Sequence, residues 1–284
     1  MVRDKSIVLS AVFPSSKTGI DGLRRALDRI SHYDINTVEY YCEGCSPIDV
    51  SALLKDKRSV FLGAARQKAM GLNPCSPKKE ERDHAVAQLT ECLRFASLTG
   101  ANAFMINSGR RPVRPEDDNV CLEWLADSIL RLHHAQPEMP ILLEPGDRDI
   151  EYRHLVGPSE MAVNIVRSLQ SIGVPISLVF DISHAAQLGE VLEEAWAITR
   201  PVCNHVHLAN CILNRDSRLY GDKHPFFGVD GGIYSHEDAK RFLSLLEEDT
   251  ELYTAGLEMI CPHSDEESFF RELVADTDWF FNRA

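Results

Sequence analysis

A single-domain (β/α)8 barrel spanning residues 1–284 is the fold class the sequence predicts, and two observations lead to it. Short apolar runs of strand length alternate with helical patterns eight times along the chain. Such alternation implies parallel strands joined by right-handed crossovers, and eight units close on themselves. In the second half, four consecutive strands end in a residue able to bind a metal: Glu144, Asp181, His207 and Glu258. A barrel brings neighbouring strand tips to one place, whereas an open doubly wound sheet would spread them along an edge.

The elements follow in order. Residues 6–13 (SIVLSAVF) read as the first strand, and residues 20–30 carry apolar side chains at helical spacing after Thr18-Gly19. Residues 36–42 form the second strand, with Glu39 inside an apolar run, then a short helix over 47–55 and a third strand over 59–64. A long loop through Gly71, Pro74 and Pro77 leads to a charged helix, 78–98, which Gly100 closes. Strand 103–107 (AFMIN) precedes a helix from about 116 to 134. Then come strand 141–144, helix 158–171, strand 177–181, helix 185–198 and strand 202–208. A loop of roughly 25 residues, a length that is usually functional inside a compact domain, separates this strand from helix 236–247. Strand 253–260 and helix 265–281 finish the pattern.

Composition narrows the partners. A net charge of −13 opposes binding to a nucleic-acid backbone, which draws on clustered Lys and Arg. There is no signal-peptide pattern and no apolar run approaching about 20 residues, so a cytoplasmic protein without membrane association is expected. The eight cysteines lack framework spacing and read as reduced thiols, the lone Cys42-x-x-Cys45 pair being incidental.

The chemistry sits at the strand tips. A strand interior has no use for Asp181, because burying an unpaired carboxylate is costly. Three carboxylates meeting around one point would repel one another unless a cation sits between them. An imidazole with three carboxylates suits Mn2+, Co2+, Mg2+ or Zn2+.

The segments LLEPGDR, VFDISH, HVHLAN and GLEMI, in that order on strands five to eight, resemble the xylose isomerase-like barrel superfamily. That superfamily includes sugar isomerases and epimerases and, more distantly, apurinic endonucleases of the endonuclease IV type. The resemblance implies one divalent metal ion, Mn2+ first among the four, held by Glu144, Asp181, His207 and Glu258. It implies that Glu144 and Glu258 double as acid and base, giving isomerisation or epimerisation of a sugar, keto-sugar or polyol derivative through an enediolate. A lyase or dehydratase would use the same enediolate chemistry. A homo-oligomer is also implied.

His184 resembles the histidine that follows the strand-six aspartate in this superfamily, which implies a substrate hydroxyl as its partner or, in the endonuclease branch, a metal; read from its position alone it is a helix-start residue satisfied by backbone. Arg148 could fork onto a substrate carboxylate or phosphate or pair with one of the acids this chain has in excess, and Asn107 on strand four is placed to face the cavity. Asp222 and His224 look like the endonuclease segment that binds an additional zinc, and read here as pocket-lining residues or as loop polar groups. The endonuclease pattern wants histidines after strands three and four, where this chain has Gly63-Ala64 and Asn107-Ser108. Phosphodiester cleavage is therefore the weaker alternative, and a non-catalytic sugar-binding barrel a third.

Overall fold

A computed structural model describes residues 2–248 and 253–281. Among the described residues the strands are β1 (Val2–Val8), β2 (Thr37–Tyr40), β3 (Arg58–Leu62), β4 (Ala103–Asn107), β5 (Ile141–Glu144), β6 (Ile176–Asp181), β7 (Cys203–Leu208) and β8 (Tyr253–Leu257). They follow one another in sequence order round a closed barrel, the predicted fold class. The helices are α1 (Leu9–Val12), α2 (Ile20–Ile30), α3 (Pro47–Leu54), α4 (Gly63–Met70), α5 (Lys79–Thr99), α6 (Asp118–Ala135), α7 (Ser159–Gln170), α8 (Ile182–Gln187), α9 (Leu192–Thr199), α10 (His236–Glu248) and α11 (Glu266–Asp276). No helix among the described residues is long and apolar enough to cross a membrane.

The chain divides into two compact units, each drawn from interleaved segments. The first takes Met1–Ser59, Asp181–Ser183 and Asn204–Ala284, and the second Val60–Phe180 and His184–Cys203.

In the first unit β1 lies between β2 and β8, and β8 continues to β7, all parallel. Its outer packing is aromatic: Phe13 and Phe270 lie 5.0 Å apart, and Tyr33 meets Phe281 edge-on at 5.2 Å. Such pairs add to what burial of the rings contributes. In α2 the buried positions Leu23, Ala26 and Ile30 recur at three- and four-residue spacing, the apolar stripe of a surface helix.

In the second unit β3, β4, β5 and β6 pair in parallel. Phe61 and Phe104 stack at 6.0 Å between β3 and β4. A Cβ on Gly63 would lie 2.4 Å from the Phe104 ring, so a side chain at this position would have to displace that ring. Glu190 caps α7, its carboxylate accepting from the backbone N–H and the hydroxyl of Ser159 at 2.9 and 2.7 Å.

Three elements differ from the sequence expectation. The run 6–13 is strand only as far as Val8, after which Leu9–Val12 turn helically and Phe13 N–H donates to Leu9 C=O at 2.7 Å. An unbroken apolar run carries no period, so a buried strand and a buried helical turn look alike in sequence. Residues 63–70, read as the end of a strand and a loop, form α4, which Gly71 ends at φ 63°. The expected helix over 185–198 is two helices, parted where Gly189 adopts φ 72°.

Candidate metal centre

The centre described here lies within the first unit, and backbone register builds it. His205 and His207 alternate on β7 so that both face one side, and Gly256 on β8 stands opposite His207. From β2, Glu39 reaches the same place, fully buried. Its carboxylate meets His205 Nε2 at 3.0 Å and His207 Nε2 at 2.8 Å, and accepts from Ser6 Oγ at 2.7 Å. Burial opposes the charge on Glu39, but the two histidines outweigh it and hold its carboxyl well below the usual range.

The other nitrogen of His207, Nδ1, lies 2.9 Å from Glu258 Oε2. Glu258 follows the last residue of β8, its backbone N–H donating to Leu208 C=O at 3.2 Å. Asp181 ends β6, and its Oδ1 accepts the Ser183 backbone N–H at 2.6 Å. Asp181, His207 and Glu258 each bring a ligand atom within 4.8 Å of the others.

The loop after β7 supplies Asp222 and His224. His224 Nε2 lies 2.7 Å from Asp222 Oδ1, 3.3 Å from Ser183 Oγ and 3.9 Å from Asp181 Oδ2, while its Nδ1 lies 3.8 Å from Glu258 Oε1. Burial works against a charge on this ring, but the carboxylates of Asp222, Glu258 and Asp181 overcome it and raise its pKa to about 9. Glu258 is held below its ordinary value: burial raises it, and His224 and His207 more than compensate. His224 also holds φ 40°, a left-handed conformation uncommon outside glycine.

That loop is ordered from within by Asn210. Its amide donates to the carbonyls of Phe226 and Tyr234, both at 3.1 Å, and its oxygen accepts from the backbone N–H of Cys211 and Tyr234. Asn210→Ala would leave several of these buried groups unsatisfied, at a cost of roughly 2–4 kcal/mol. The expected result is a lower midpoint in urea and faster proteolysis between residues 211 and 233; unchanged protection of that segment would count against the account.

The second unit holds the remaining predicted site residues. Glu144 ends β5 and stands opposite Asn107 of β4. Asn107 is clamped by the side chain of Gln67, which donates to its carbonyl and accepts from its N–H, each at 3.0 Å. His184 is buried, with Nδ1 2.8 Å from Pro145 C=O. Arg148 turns its guanidinium to Asp118, to the Leu155 carbonyl at 3.0 Å and to Met161 Sδ at 3.4 Å, and so ties its loop to α6 and α7.

The chemistry of the donor set fits a divalent ion. Asp181 Oδ2 is buried and makes no hydrogen bond among the described residues, although an unmet buried carboxylate oxygen costs on the order of 1–3 kcal/mol or more. Oxygen and nitrogen donors of this kind suit ions of intermediate hardness. The sequence reading missed Ser6, Ser183, Gln67 and Gly256. Only Gly256 carried a signal, since a glycine inside an apolar strand marks a close approach.

Comparison with known proteins agrees with the architecture. The family model described as a xylose isomerase-like TIM barrel matches residues 13–277. No curated protein matches the chain in sequence. Among solved structures, the apo form of 3-keto-D-glucoside 4-epimerase YcjR from E. coli is 17% identical with a TM-score of 0.70, covering 98% of each chain. An L-ribulose 3-epimerase is 13% identical with a TM-score of 0.71, covering 99% of this chain and 94% of that one. The IOLI protein with a binding zinc atom is 14% identical with a TM-score of 0.70, over 98% and 99%. At these identities the likeness is one of fold.

Proposed function

Because this chain belongs to the xylose isomerase-like TIM-barrel family, we propose that it is a divalent-metal-dependent isomerase or epimerase of a sugar or keto-sugar. The observation that carries the reading is the buried carboxylate and imidazole cluster, above all the Asp181 oxygen with no hydrogen-bond partner. Glu144, Asp181, His207 and Glu258 are the proposed ligands, and within the first unit Asp181, His207 and Glu258 bring their ligand atoms within 4.8 Å of one another. Bound there, the ion would supply Lewis-acid polarisation of a carbonyl and its neighbouring hydroxyl.

The chain's own groups do the rest. Glu258, ionised by its two histidine neighbours, takes the proton from the carbon beside the carbonyl, and Glu144 returns one from the other side. His207 and Asp181 stay fixed while this happens, held by Glu39 and by the Ser183 N–H. Asp222 and His224, with His184 and Asn107, are proposed to meet the substrate hydroxyls. YcjR and the L-ribulose enzyme are both named as epimerases of sugars, which supports a small sugar as substrate for this chain too.

Endonuclease chemistry finds less support. A histidine at Gly63 would drive its Cβ into the Phe104 ring, and the chain is acidic overall.

The test is exchange. Free ketohexoses and ketopentoses incubated in deuterated water with Mn2+ and the protein should gain one deuterium beside the carbonyl in at least one case. A broad panel with no incorporation, metal being present, would remove the proposal.

A further inference from the structure

We propose that Glu39 is a positioning residue for the metal centre. It accepts the Nε2–H of His207 and thereby locks that ring in the tautomer and orientation that present Nδ1 to Glu258 and Asp181. The inference rests on the proposed metal-dependent function and adds to it a residue outside the ligand set.

Geometry carries it. The two ring nitrogens of His207 face different carboxylates, Nε2 lying 2.8 Å from Glu39 Oε2 and Nδ1 2.9 Å from Glu258 Oε2. Glu258 belongs to the proposed ligand set and Glu39 does not, so an ion held by that set takes Nδ1, and Nε2 keeps its hydrogen and donates it to Glu39. A metal-binding histidine commonly donates its other N–H to a carboxylate, which fixes the ring and raises its basicity as a ligand. His205 and Ser6 complete the arrangement by binding Oε1 of Glu39 at 3.0 and 2.7 Å, so that Oε2 is left to His207.

The fold spends a residue on this. A Cβ at position 256 would lie 2.5 Å from Glu39 Oε1 and 3.1 Å from His207 Cδ2. Glycine in a strand interior weakens the strand, yet here it opens the space the carboxylate and the ring occupy. A buried carboxylate between two histidines is also poor value as a stabilising device, since apolar residues of similar volume often do as well or better. Orientation of the ligand explains its presence.

The experiment compares wild type, Glu39→Gln and His205→Asn by calorimetric titration with Mn2+ and with Zn2+, alongside circular dichroism and thermal melts. Glu39→Gln should weaken binding by about 10- to 100-fold with its circular dichroism unchanged. His205→Asn, which leaves the Glu39 to His207 bond in place, should change it less than about threefold. Equal affinity in Glu39→Gln and wild type overturns the inference, as does a loss in His205→Asn as large as that in Glu39→Gln. Two ions per chain, one of them lost with Glu39, would instead make Glu39 a ligand and overturn it as well.

Long-range 1H–15N spectra of the histidine-labelled wild type need no folded variant, His207 being assigned by its absence in His207→Asn. Nε2 should carry the proton in the ion-free protein, and with Zn2+ bound Nδ1 should show the metal shift. The reverse assignment overturns the inference. If the wild type takes up no divalent ion, the proposed function fails, and an unprotonated Nε2 in the ion-free spectrum would then overturn the positioning role separately.

Discussion

Glu258→Gln should lower kcat for the exchange or epimerisation reaction by about a thousandfold, within the range that a positioned acid or base contributes. The amide keeps the volume of the carboxylate but loses its charge beside His207 and His224, so circular dichroism confirms the fold before kcat is compared. What is lost is the capacity to accept a proton, together with some of the grip on the ion. Assays at rising Mn2+ separate the two effects, because saturation restores the grip alone. Activity above a tenth of wild type at saturating metal would show that Glu258 is not the base. Glu144→Gln should behave alike if the two glutamates share the proton transfer, and a variant active in one direction only would assign their sides.

Mn2+ or Zn2+ at a hundredfold excess over its dissociation constant should raise the melting temperature by about 4–5 °C. Binding to the native state at that excess contributes about 2.7 kcal/mol, and unfolding entropy for a chain of this length is on the order of 0.6 kcal/mol per kelvin. Asp181→Asn should lose most of that shift. Its Oδ1 already accepts the Ser183 N–H, so the orphaned Oδ2 is the atom left for the ion, and an amide NH2 there offers no lone pair. The reading is the shift on adding the ion, taken against each protein's own ion-free melting temperature, since Asp181 also faces His224 at 3.9 Å. An undiminished shift in Asp181→Asn would place the ion elsewhere.

Much of the centre is legible in the chain because strands and chemistry share a simple rule. An acid or histidine that ends an apolar run of four or five residues has nowhere to go but the strand tip, as with Asp181 after Leu178, Val179 and Phe180. His205 and His207 are two apart and so share a face. Glu39 stood out as a carboxylate among apolar neighbours, although its partners did not. They lie 166 and 168 residues away, and no local pattern records which strand a side chain will meet. His224 is the same case: a loop histidine in sequence, it comes to lie buried beside Asp222, Asp181 and Glu258 only when the loop is folded back by Asn210.

Arg148 shows the opposite limit. A guanidinium near a strand tip reads either as a substrate clamp or as the partner of a nearby acid, and here its donors go to Asp118 and the Leu155 carbonyl. The preference of arginine for carboxylates is fixed by its chemistry, but which carboxylate lies within reach is set by the loop path.

By itself the sequence determined the strand and helix alternation, the closed parallel topology it implies, and the identity of the acids and histidines at the strand ends, because periodicity and side-chain chemistry are local properties. Tertiary structure alone decided where the first strand stops, that Gly63 and Gly256 stand where a side chain would crowd a neighbour, that Glu39 stands behind His207, and that His224 lies among carboxylates. Each of these depends on distances between residues far apart in the chain, and such distances exist only once the backbone has closed.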